Sequence, residues 1–207
     1  MAERNWNDNY ADGFLPWDTG KPEPALVAAV ESGVISRGRA LEVGCGTGTN
    51  AIWLAQRGFE VVAIDVAPLA IAQAQKKAAE AGVDVDLSVH DFLAAPLEGE
   101  PFALVFDRGV WHVFDEAAER AKFARHVAQS LHAGGQWLSL AGSTEGPPRD
   151  HGPPRRSARD LVTAVEPVLE IVELRTMEFD ANIPSVARAW TMRARVRDVP
   201  AVPSTRH

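Results

Sequence analysis

Residues 40–48 read Ala-Leu-Glu-Val-Gly-Cys-Gly-Thr-Gly, a short apolar strand that runs into three glycines at alternate positions. Glycine has no Cβ, so this run lets the backbone turn sharply and approach a ligand closely. The residues that follow, 49–57, can form a helix. A strand, a glycine turn and a helix N-terminus together predict a nucleotide-type binding site.

Apolar strands and helix-forming segments alternate along the chain from residue 24 onward. The helices are predicted at Leu26–Ser32, 67–81, Asp115–Leu131 and Ser157–Val165, and the strands at Ala40–Val43, Glu60–Ile64, Val83–Val89, Phe102–Phe106, Gln136–Leu140, Val168–Leu174 and Ala187–Arg195. The last two strands are expected to pair in antiparallel fashion. Repeated strand–helix units predict an α/β fold with a doubly wound, mostly parallel seven-stranded sheet and helices on both faces.

Composition limits the classes of function. The chain has 207 residues, which suits one domain, and a formal net charge of −7 with a pI of about 5.4. Nucleic acid and an anionic membrane both attract basic surfaces, so neither is the expected partner. The amino terminus has no apolar signal-peptide core, no apolar run approaches transmembrane length, and we expect a cytoplasmic protein. The six histidines and the single cysteine lack metal-ligand spacing, so no metal site is predicted.

The glycine turn alone fits two kinds of cofactor. Gly46 to Ala51 also matches the G-x-G-x-x-A pattern of dinucleotide-binding folds, although a match of that length is weak. Glu42, however, lies inside the strand before the glycines, where a dinucleotide fold needs no acid. Three later strands end in or near a carboxylate, at the edge of the sheet where ligands bind: Asp65, Asp91 and Asp107. This set suits a cationic sulfonium ligand with ribose and adenine better than a pyrophosphate.

With these residues the chain resembles the class I S-adenosylmethionine-dependent methyltransferases over about residues 38–140. Glu42-x-Gly44-x-Gly46-x-Gly48 is similar to their first motif. The resemblance implies S-adenosyl-L-methionine as the cofactor and S-adenosyl-L-homocysteine as the product. Asp65 then corresponds to the acid that binds the ribose hydroxyls, and Asp91 to the acid that meets the adenine amino group, with Phe92 beside the ring. The implied cofactor-binding residues are Trp17, Glu42, Gly44, Cys45, Gly46, Gly48, Asp65, Val66, Asp91, Phe92 and Asp107.

Three further motifs narrow the resemblance. They are Pro16-Trp17-Asp18-Thr19-Gly20, Asp107-Arg108-Gly109 and Gly152-Pro153-Pro154. In order and placement they resemble the thiopurine S-methyltransferases and plant halide/thiol methyltransferases, and tellurite-resistance proteins are similar. The resemblance implies a lid over residues 1–21, a methyltransferase domain over 22–197, a tail over 198–207 and a role in detoxification. The chain departs from this group at Trp111-His112 and Arg155-Arg156, which leaves the acceptor open.

The amino-terminal segment carries four aromatic residues with helical spacing. Trp6, Tyr10, Phe14 and Trp17 would share one face of a helix. Gly13 and Pro16 argue against a helix through the whole segment. We expect the segment to cover the cofactor and exclude water. The alternative is that the segment is an apolar arm packed on the protein surface without a role at the site.

Methyl transfer from a sulfonium is an in-line displacement, so the protein has to align the reactants. A thiol, with a pKa of about 8.5, is already partly ionised at neutral pH. For such an acceptor Arg108 is predicted to supply a positive charge that favours the thiolate. The alternative is a structural role for Arg108, in an ion pair with Asp107 or Asp91. A hydroxyl would need a general base, for which His112 is the candidate, with Asp107 orienting it or the arginine. The predicted catalytic residues are Asp107, Arg108 and His112.

The expected acceptor is a small molecule, with sulfur favoured, oxygen second, and nitrogen or halide acceptors still open. A local cluster of basic residues would attract an anionic aromatic acceptor or simply face solvent: Arg149, Arg155, Arg156 and Arg159. A non-catalytic S-adenosylmethionine-binding protein and an NAD-dependent oxidoreductase remain the alternatives. The chain is expected to be a monomer or a homodimer.

Overall fold

The computed structural model describes residues 5–146, 152–182 and 187–197, so the predicted tail at 198–207 lies outside the described residues. The helices are α1 (Trp6–Asp12), α2 (Pro24–Glu31), α3 (Thr49–Gln56), α4 (Pro68–Ala81), α5 (Ala117–Ser130) and α6 (Ala158–Val165). The strands are β1 (Arg39–Val43), β2 (Glu60–Asp65), β3 (Asp86–Val89), β4 (Phe102–Arg108), β5 (Leu131–Gly142), β6 (Glu170–Phe179) and β7 (Ala187–Arg195).

In this described part of the chain the strands form a single seven-stranded sheet, in the order β3-β2-β1-β4-β5-β7-β6. β7 runs antiparallel to both β5 and β6, and the other neighbouring pairs are parallel. The predicted doubly wound, mostly parallel α/β sheet is therefore confirmed. The carboxyl ends of β1 to β5 meet at one edge, where ligands bind in sheets of this kind.

Local signals in the sequence set the helix ends. α4 begins with Pro68 at its first position and ends at Gly82, which has a φ of 65°. At the start of α6 the Ser157 side chain accepts from the Asp160 amide, while the Asp160 carboxylate accepts from the Ser157 amide. α3 begins directly at Gly48, so the glycine turn and the helix N-terminus are continuous.

Alternate residues of the central strands face opposite sides of the sheet. On one side Leu41 of β1 packs in a core with Phe123 of α5 and Trp137 of β5. On the other side Ala40 packs in a second core with Leu54 of α3 and with residues of α2. The sheet is thus held between two apolar layers and provides a rigid base for the site. No helix in the described ranges has the length and apolar character to cross a membrane.

Three strands differ most from their predicted bounds, and one of them, β6, runs from Glu170 to Phe179 rather than over Val168–Leu174. β3 begins at Asp86 rather than Val83, because the residues after α4 form a connection before pairing starts. β5 begins at Leu131 rather than Gln136, directly after α5. The pairing of β5 with β4 changes register in this stretch, where Gly134 has a φ of 77°. A local irregularity thus continues the strand through residues whose glycines predict a turn.

Candidate active site

The glycine turn lies at the carboxyl edge of the sheet, between β1 and α3. The amide of Gly44 donates to the carbonyl oxygen of Ile64 in β2, at 2.8 Å. Gly44, Gly46 and Gly48 have φ values of 68°, 55° and 79°, which glycine adopts without strain. A Cβ on Gly44 would lie 2.2 Å from Cγ2 of Val110. The absence of side chains at these positions therefore keeps the turn compact and open to a ligand.

Glu42 of β1 is a buried acid that lines a cavity beside this turn. Its Oε1 accepts from Nδ2 of Asn50 at 3.0 Å, whereas Oε2 is buried without a hydrogen-bond partner. Burial raises the pKa of Glu42 to about 8, so the carboxyl group is mostly protonated at neutral pH in the cofactor-free protein. A buried acceptor without a donor is costly. The position therefore favours a ligand that brings a cation or an N–H group.

Asp65, at the end of β2, holds the glycine turn from the other side of the same cavity. Its Oδ2 accepts from the amide of Gly46 and its Oδ1 from the amide of Ala67, both at 2.9 Å. Burial raises the pKa of Asp65. Cys45, also in the turn, is buried, and burial raises the pKa of its thiol well above the usual value. Cys45 is therefore a neutral packing residue, whereas Asp65 presents a carboxylate to the cavity.

The remaining predicted cofactor residues follow β2 and β3 and line the same cavity. Val66 is 47% exposed, so its side chain is available to an apolar ligand ring. Asp91 uses Oδ1 to accept from the amides of Leu93 and Ala94, at 2.9 and 3.1 Å, and so stabilises a turn. Phe92 is buried, and its ring centroid lies 5.1 Å from that of a phenylalanine of α5. The structure therefore brings Val66, Asp91 and Phe92 together at one end of the cavity.

The cavity has a volume of about 1000 Å³, and residues 5–19, called the lid below, form one of its walls. The ring centroids of Trp6 and Tyr10 lie 5.8 and 6.4 Å from that of Trp17. Phe14, by contrast, is 64% exposed, as expected if Gly13 and Pro16 prevent a helix through the whole segment. α1 ends at Gly13, which has a φ of 72°, and the helical spacing does not continue beyond it.

Hydrogen bonds hold the lid against α4 and the glycine turn. Oδ1 of Asn7 accepts from the amide of Leu69 at the N-terminus of α4, at 2.9 Å. Oγ1 of Thr47, in the glycine turn, donates to Oδ2 of Asp18 at 2.8 Å. The hydroxyl of Tyr10 lies over the same turn, and burial together with a neighbouring carboxylate raises the pKa of Tyr10 far above its usual range. The lid thus presents a protonated phenol to the cavity.

Asp107 ends β4 behind the cavity and does not line it. Its side chain is fully buried. Oδ1 accepts from two amides of the following turn, at 3.1 Å each, and Oδ2 accepts from Nε1 of Trp137 at 2.9 Å. None of these bonds goes to His112 or Arg108, and the orienting role of Asp107 stays a prediction. Its contact with the cofactor also stays a prediction, for a residue that does not line the cavity.

Arg108 lines the cavity, but its guanidinium group is bound on all sides. Nε donates to Oε2 of Glu23 at 2.6 Å, and the other two nitrogens donate to the carbonyl oxygens of Trp17 and Asp180, at 3.2 and 2.6 Å. Glu23 lies 85 residues away in sequence, so neither predicted aspartate is the ion-pair partner. Arg108 therefore joins the lid to the segment after β6, and its positive charge is paired with a glutamate, so its role beside a thiol stays a prediction.

His112 lies in a single 3₁₀ turn at Trp111–Val113 and lines the cavity. The amide of Gly142 donates to its Nδ1 at 2.6 Å, so the proton of the neutral ring is on Nε2. The centroid of the ring lies 6.0 Å from that of Phe179. A base that acts from Nε2 needs that nitrogen unprotonated, and this tautomer therefore opposes the predicted role as general base. Trp111, predicted to lie in the pocket or in the core, is fully buried in the core.

Of the predicted basic cluster, the described residues Arg155, Arg156 and Arg159 do not line the cavity. Arg155 donates to backbone carbonyls within residues 143–146, and Arg156 pairs with an aspartate before α5 at 2.8 Å. Arg159 is exposed, and Arg149 lies outside the described residues. The Gly-Pro-Pro motif beside them does line the cavity. The contacts of Arg155 and Arg156 thus support the loop that carries this motif.

Two residues of the site were not predicted: Asn50, which lines the cavity, and Glu23, which does not. Asn50, in the first turn of α3, donates to Glu42 and accepts from the amide of Glu23 at 2.8 Å. Glu23, which precedes α2, is 4% exposed and binds Arg108. The position of Asn50 just after the glycine motif is a usable signal. Glu23 has none, because its partners lie 27 and 85 residues away.

Comparison with known proteins places this fold and site in a family. A model described as a methyltransferase domain matches residues 40–135. Thiocyanate methyltransferase 1 of Brassica oleracea is 30% identical over 194 residues, covering 90% of this chain and 80% of that protein. Probable thiol methyltransferase 2 of Arabidopsis thaliana is 33% identical over 152 residues, covering 72% of this chain and 65% of that protein.

A solved structure supports the same placement. It comes from work on the conversion of a disulfide bond into a thioacetal group during echinomycin biosynthesis. Its TM-score is 0.77 at 30% identity, and the match covers 88% of this chain and 84% of that one. The chain therefore belongs to the S-adenosylmethionine-dependent methyltransferases. Within them it is a small-molecule methyltransferase, and the predicted enzyme class and cofactor are confirmed.

The residues present fit S-adenosylmethionine. The glycine turn leaves room for it, and the orphaned Oε2 of Glu42 suits a ligand that carries an ammonium group and a sulfonium. Asp65, Val66 and Asp91 line the same cavity, and their contacts with the ribose and the adenine stay predictions. In the described residues no group of three or more histidine, cysteine or acidic side chains forms a metal site.

Proposed function

We propose that the acceptor is a small-molecule thiol that reacts as its thiolate. The observation that carries this proposal is the hydrogen bond from the Gly142 amide to Nδ1 of His112, which leaves the ring protonated on Nε2. Asp107 is sealed behind the cavity and the Tyr10 phenol is held protonated. Thus none of these described groups is set to remove a proton. A thiol, with a pKa of about 8.5, needs no base at neutral pH, whereas most hydroxyl groups do.

Bound S-adenosylmethionine supplies a methyl group on a positively charged sulfur, which a nucleophile displaces in line. The chain's own residues bind and orient the reactants. Glu42, Asp65 and Asp91 hold the polar parts of the cofactor, and Trp17 with the rest of the lid excludes water. Fixed alignment of this kind lowers a barrier by about 7–11 kcal/mol at most. The proton of the thiol is lost to solvent before the transfer, so no side chain has to accept it.

Three features of the far end of the cavity describe the acceptor. Phe179, Pro153 and Pro154 line it with apolar surface. Arg108, which also lies there, is neutralised by Glu23. A small organic thiol therefore fits better than a free inorganic anion, which would have to be desolvated beside an already paired cation. The names of the relatives, thiol and thiocyanate methyltransferases, support sulfur as the acceptor atom.

A matched set of acceptors tests the proposal. Thiophenol, phenol and 4-nitrophenol have similar shapes, and the nitrophenol hydroxyl ionises near neutral pH. We expect transfer of a labelled methyl group, followed by mass spectrometry, to thiophenol first and to phenol last. Thiocyanate provides the inorganic comparison. Efficient methylation of phenol, or of aniline, without methylation of thiophenol would overturn the assignment.

We further propose a cytoplasmic, monomeric or homodimeric enzyme that methylates toxic thiols. The acidic composition and the resemblance to detoxifying methyltransferases support this. Sedimentation of the purified chain gives the oligomeric state. A growth survey tests this role. Toxic thiols should inhibit a strain that lacks the gene more than the same strain with the gene restored. The methylated thiol should accumulate only in the strain with the gene restored.

A further inference from the structure

A chain of buried hydrogen bonds connects the cofactor end of the cavity to its lid. Oε1 of Glu42 accepts from Nδ2 of Asn50 at 3.0 Å, and Oδ1 of Asn50 accepts from the amide of Glu23 at 2.8 Å. Oε2 of Glu23 then accepts from Nε of Arg108 at 2.6 Å. These four residues, the Glu42–Arg108 chain, come from β1, α3, the entry to α2 and β4. They form one continuous connection along the cavity, in which Glu42, Asn50 and Arg108 line the cavity and Glu23 lies behind them.

The two ends of the Glu42–Arg108 chain contact different parts of the site. At one end Glu42 lines the cavity, and its Oε2 has no hydrogen-bond partner. At the other end Arg108 donates to the carbonyl oxygens of Trp17, in the lid, and Asp180. Asp180 lies in residues 179–181, called the acceptor wall below, which line the cavity. The same guanidinium group thus holds the lid and the acceptor wall together.

Burial makes this arrangement sensitive to change. The side chains of Arg108 and Glu23 are 14% and 3% exposed, so water does not replace their contact. Asn50 can satisfy both neighbours only in one orientation, because its amide nitrogen donates to Glu42 and its oxygen accepts from Glu23. A shift of the Glu42 carboxyl group when a cation binds beside it therefore moves the acceptor on which Asn50 depends. Buried polar networks transmit such changes more strongly than exposed ones.

We propose that Glu23 and Asn50 are positioning residues that couple cofactor binding beside Glu42 to the placement of the lid and the acceptor wall through Arg108. Glu23 does not line the cavity, and Asn50, which does, has its side-chain amide engaged by Glu42 and Glu23. The inference rests on the proposed function only for the name of the acceptor wall. The coupling itself concerns the binding of S-adenosylmethionine or S-adenosylhomocysteine, and it can be measured without any acceptor.

Hydrogen exchange with and without S-adenosylhomocysteine tests the coupling. In the wild type the ligand should slow exchange in both the lid and the acceptor wall. In Glu23→Gln the ligand should still bind, but its protection of the acceptor wall should fall by about fivefold or more. In a double-mutant cycle on the dissociation constant, Glu23→Gln and Glu42→Gln should deviate from additivity by about threefold or more. Additive effects, or unchanged protection of the acceptor wall in Glu23→Gln, would overturn the proposal.

Two further variants provide a matched control and a second way to interrupt the Glu42–Arg108 chain. Glu31→Gln makes the same chemical change at the end of α2, where Glu31 lies 3.9 Å from Arg57 and both side chains are exposed. It should leave protection and affinity within about twofold of the wild type, as for an exposed pair. Asn50→Ala cuts the Glu42–Arg108 chain at a second point while keeping the Glu23–Arg108 ion pair. It should reproduce the loss, and it provides the test if Glu23→Gln does not fold. Failure to find a methyl acceptor would affect none of these measurements.

Discussion

The affinity for the cofactor should rise with pH because of Glu42. In the cofactor-free protein burial raises the pKa of this carboxyl group to about 8, from an ordinary value of 4.5. The orphaned Oε2 suits a cationic ligand only when the group is ionised. Binding therefore requires the loss of one proton at neutral pH. Because the ionised fraction grows about tenfold per pH unit below the pKa, affinity should increase about 25-fold from about pH 6 to about pH 7.5.

Isothermal titration with S-adenosylhomocysteine measures this effect. Titrations in buffers of different ionisation enthalpy count the protons released, and the wild type should release nearly one at about pH 6.5. Glu42→Gln cannot ionise, so its affinity should be lower at about pH 7.5 and should lose most of the pH dependence. A flat wild-type profile, or an equal slope in Glu42→Gln, would refute the reasoning.

The raised pKa of Glu42 also affects how the stability of the fold depends on pH. Between pH 4.5 and about 8 the folded cofactor-free protein keeps a proton on Glu42 that the unfolded chain releases. The free energy of unfolding should therefore fall as the pH rises through this range. Glu42→Gln should remove that part of the decline, and thermal unfolding at several pH values without cofactor measures it.

Two substitutions test the turns around the cavity. Gly44→Ala should destabilise the fold by about 2–4 kcal/mol, because a Cβ there meets Val110 at 2.2 Å in addition to the strain of a φ of 68°. Gly33→Ala has a similar φ of 74° but no neighbour within 4 Å, and an equal loss in denaturant unfolding would contradict the steric argument. His112→Ala should cost about 1–3 kcal/mol by leaving the buried Gly142 amide without an acceptor. The rate of transfer to a preionised thiol should keep the same pH profile in this variant, whereas loss of a pH-dependent limb would restore the general-base role.

Much of the fold follows from local patterns. Apolar strands at regular spacing, the proline at the start of α4 and the glycine at its end all lie within a few residues of the structure they determine. The irregular start of β5 was not predictable in this way, since Gly134 and its neighbour signal a turn. Pairing with β4 continues through them instead, and that contact is visible only in the folded sheet.

Some residues of the candidate site could likewise be predicted from local sequence, and others could not. Glu42, the three glycines and Asp65 could be predicted, because a strand, a turn and a helix place them together by sequence alone. The roles of Asp107 and Arg108 could not, since each is decided by a distant partner. Trp137 and two amides occupy Asp107, and Glu23 neutralises Arg108 across 85 residues of sequence. Burial and long-range hydrogen bonding thus changed the chemistry of residues whose positions were correctly placed at the end of β4.

The most direct test of the account is a single-turnover reaction with methyl-labelled S-adenosylmethionine and thiophenol. Enzyme in excess of the labelled cofactor should give labelled methyl phenyl sulfide and an equal amount of S-adenosylhomocysteine. The rate should increase with the thiolate fraction and show no requirement for an added base. Tight binding of the cofactor with no methylated product from any thiol, phenol or amine would contradict the central claim that this cavity transfers a methyl group to a small-molecule thiol.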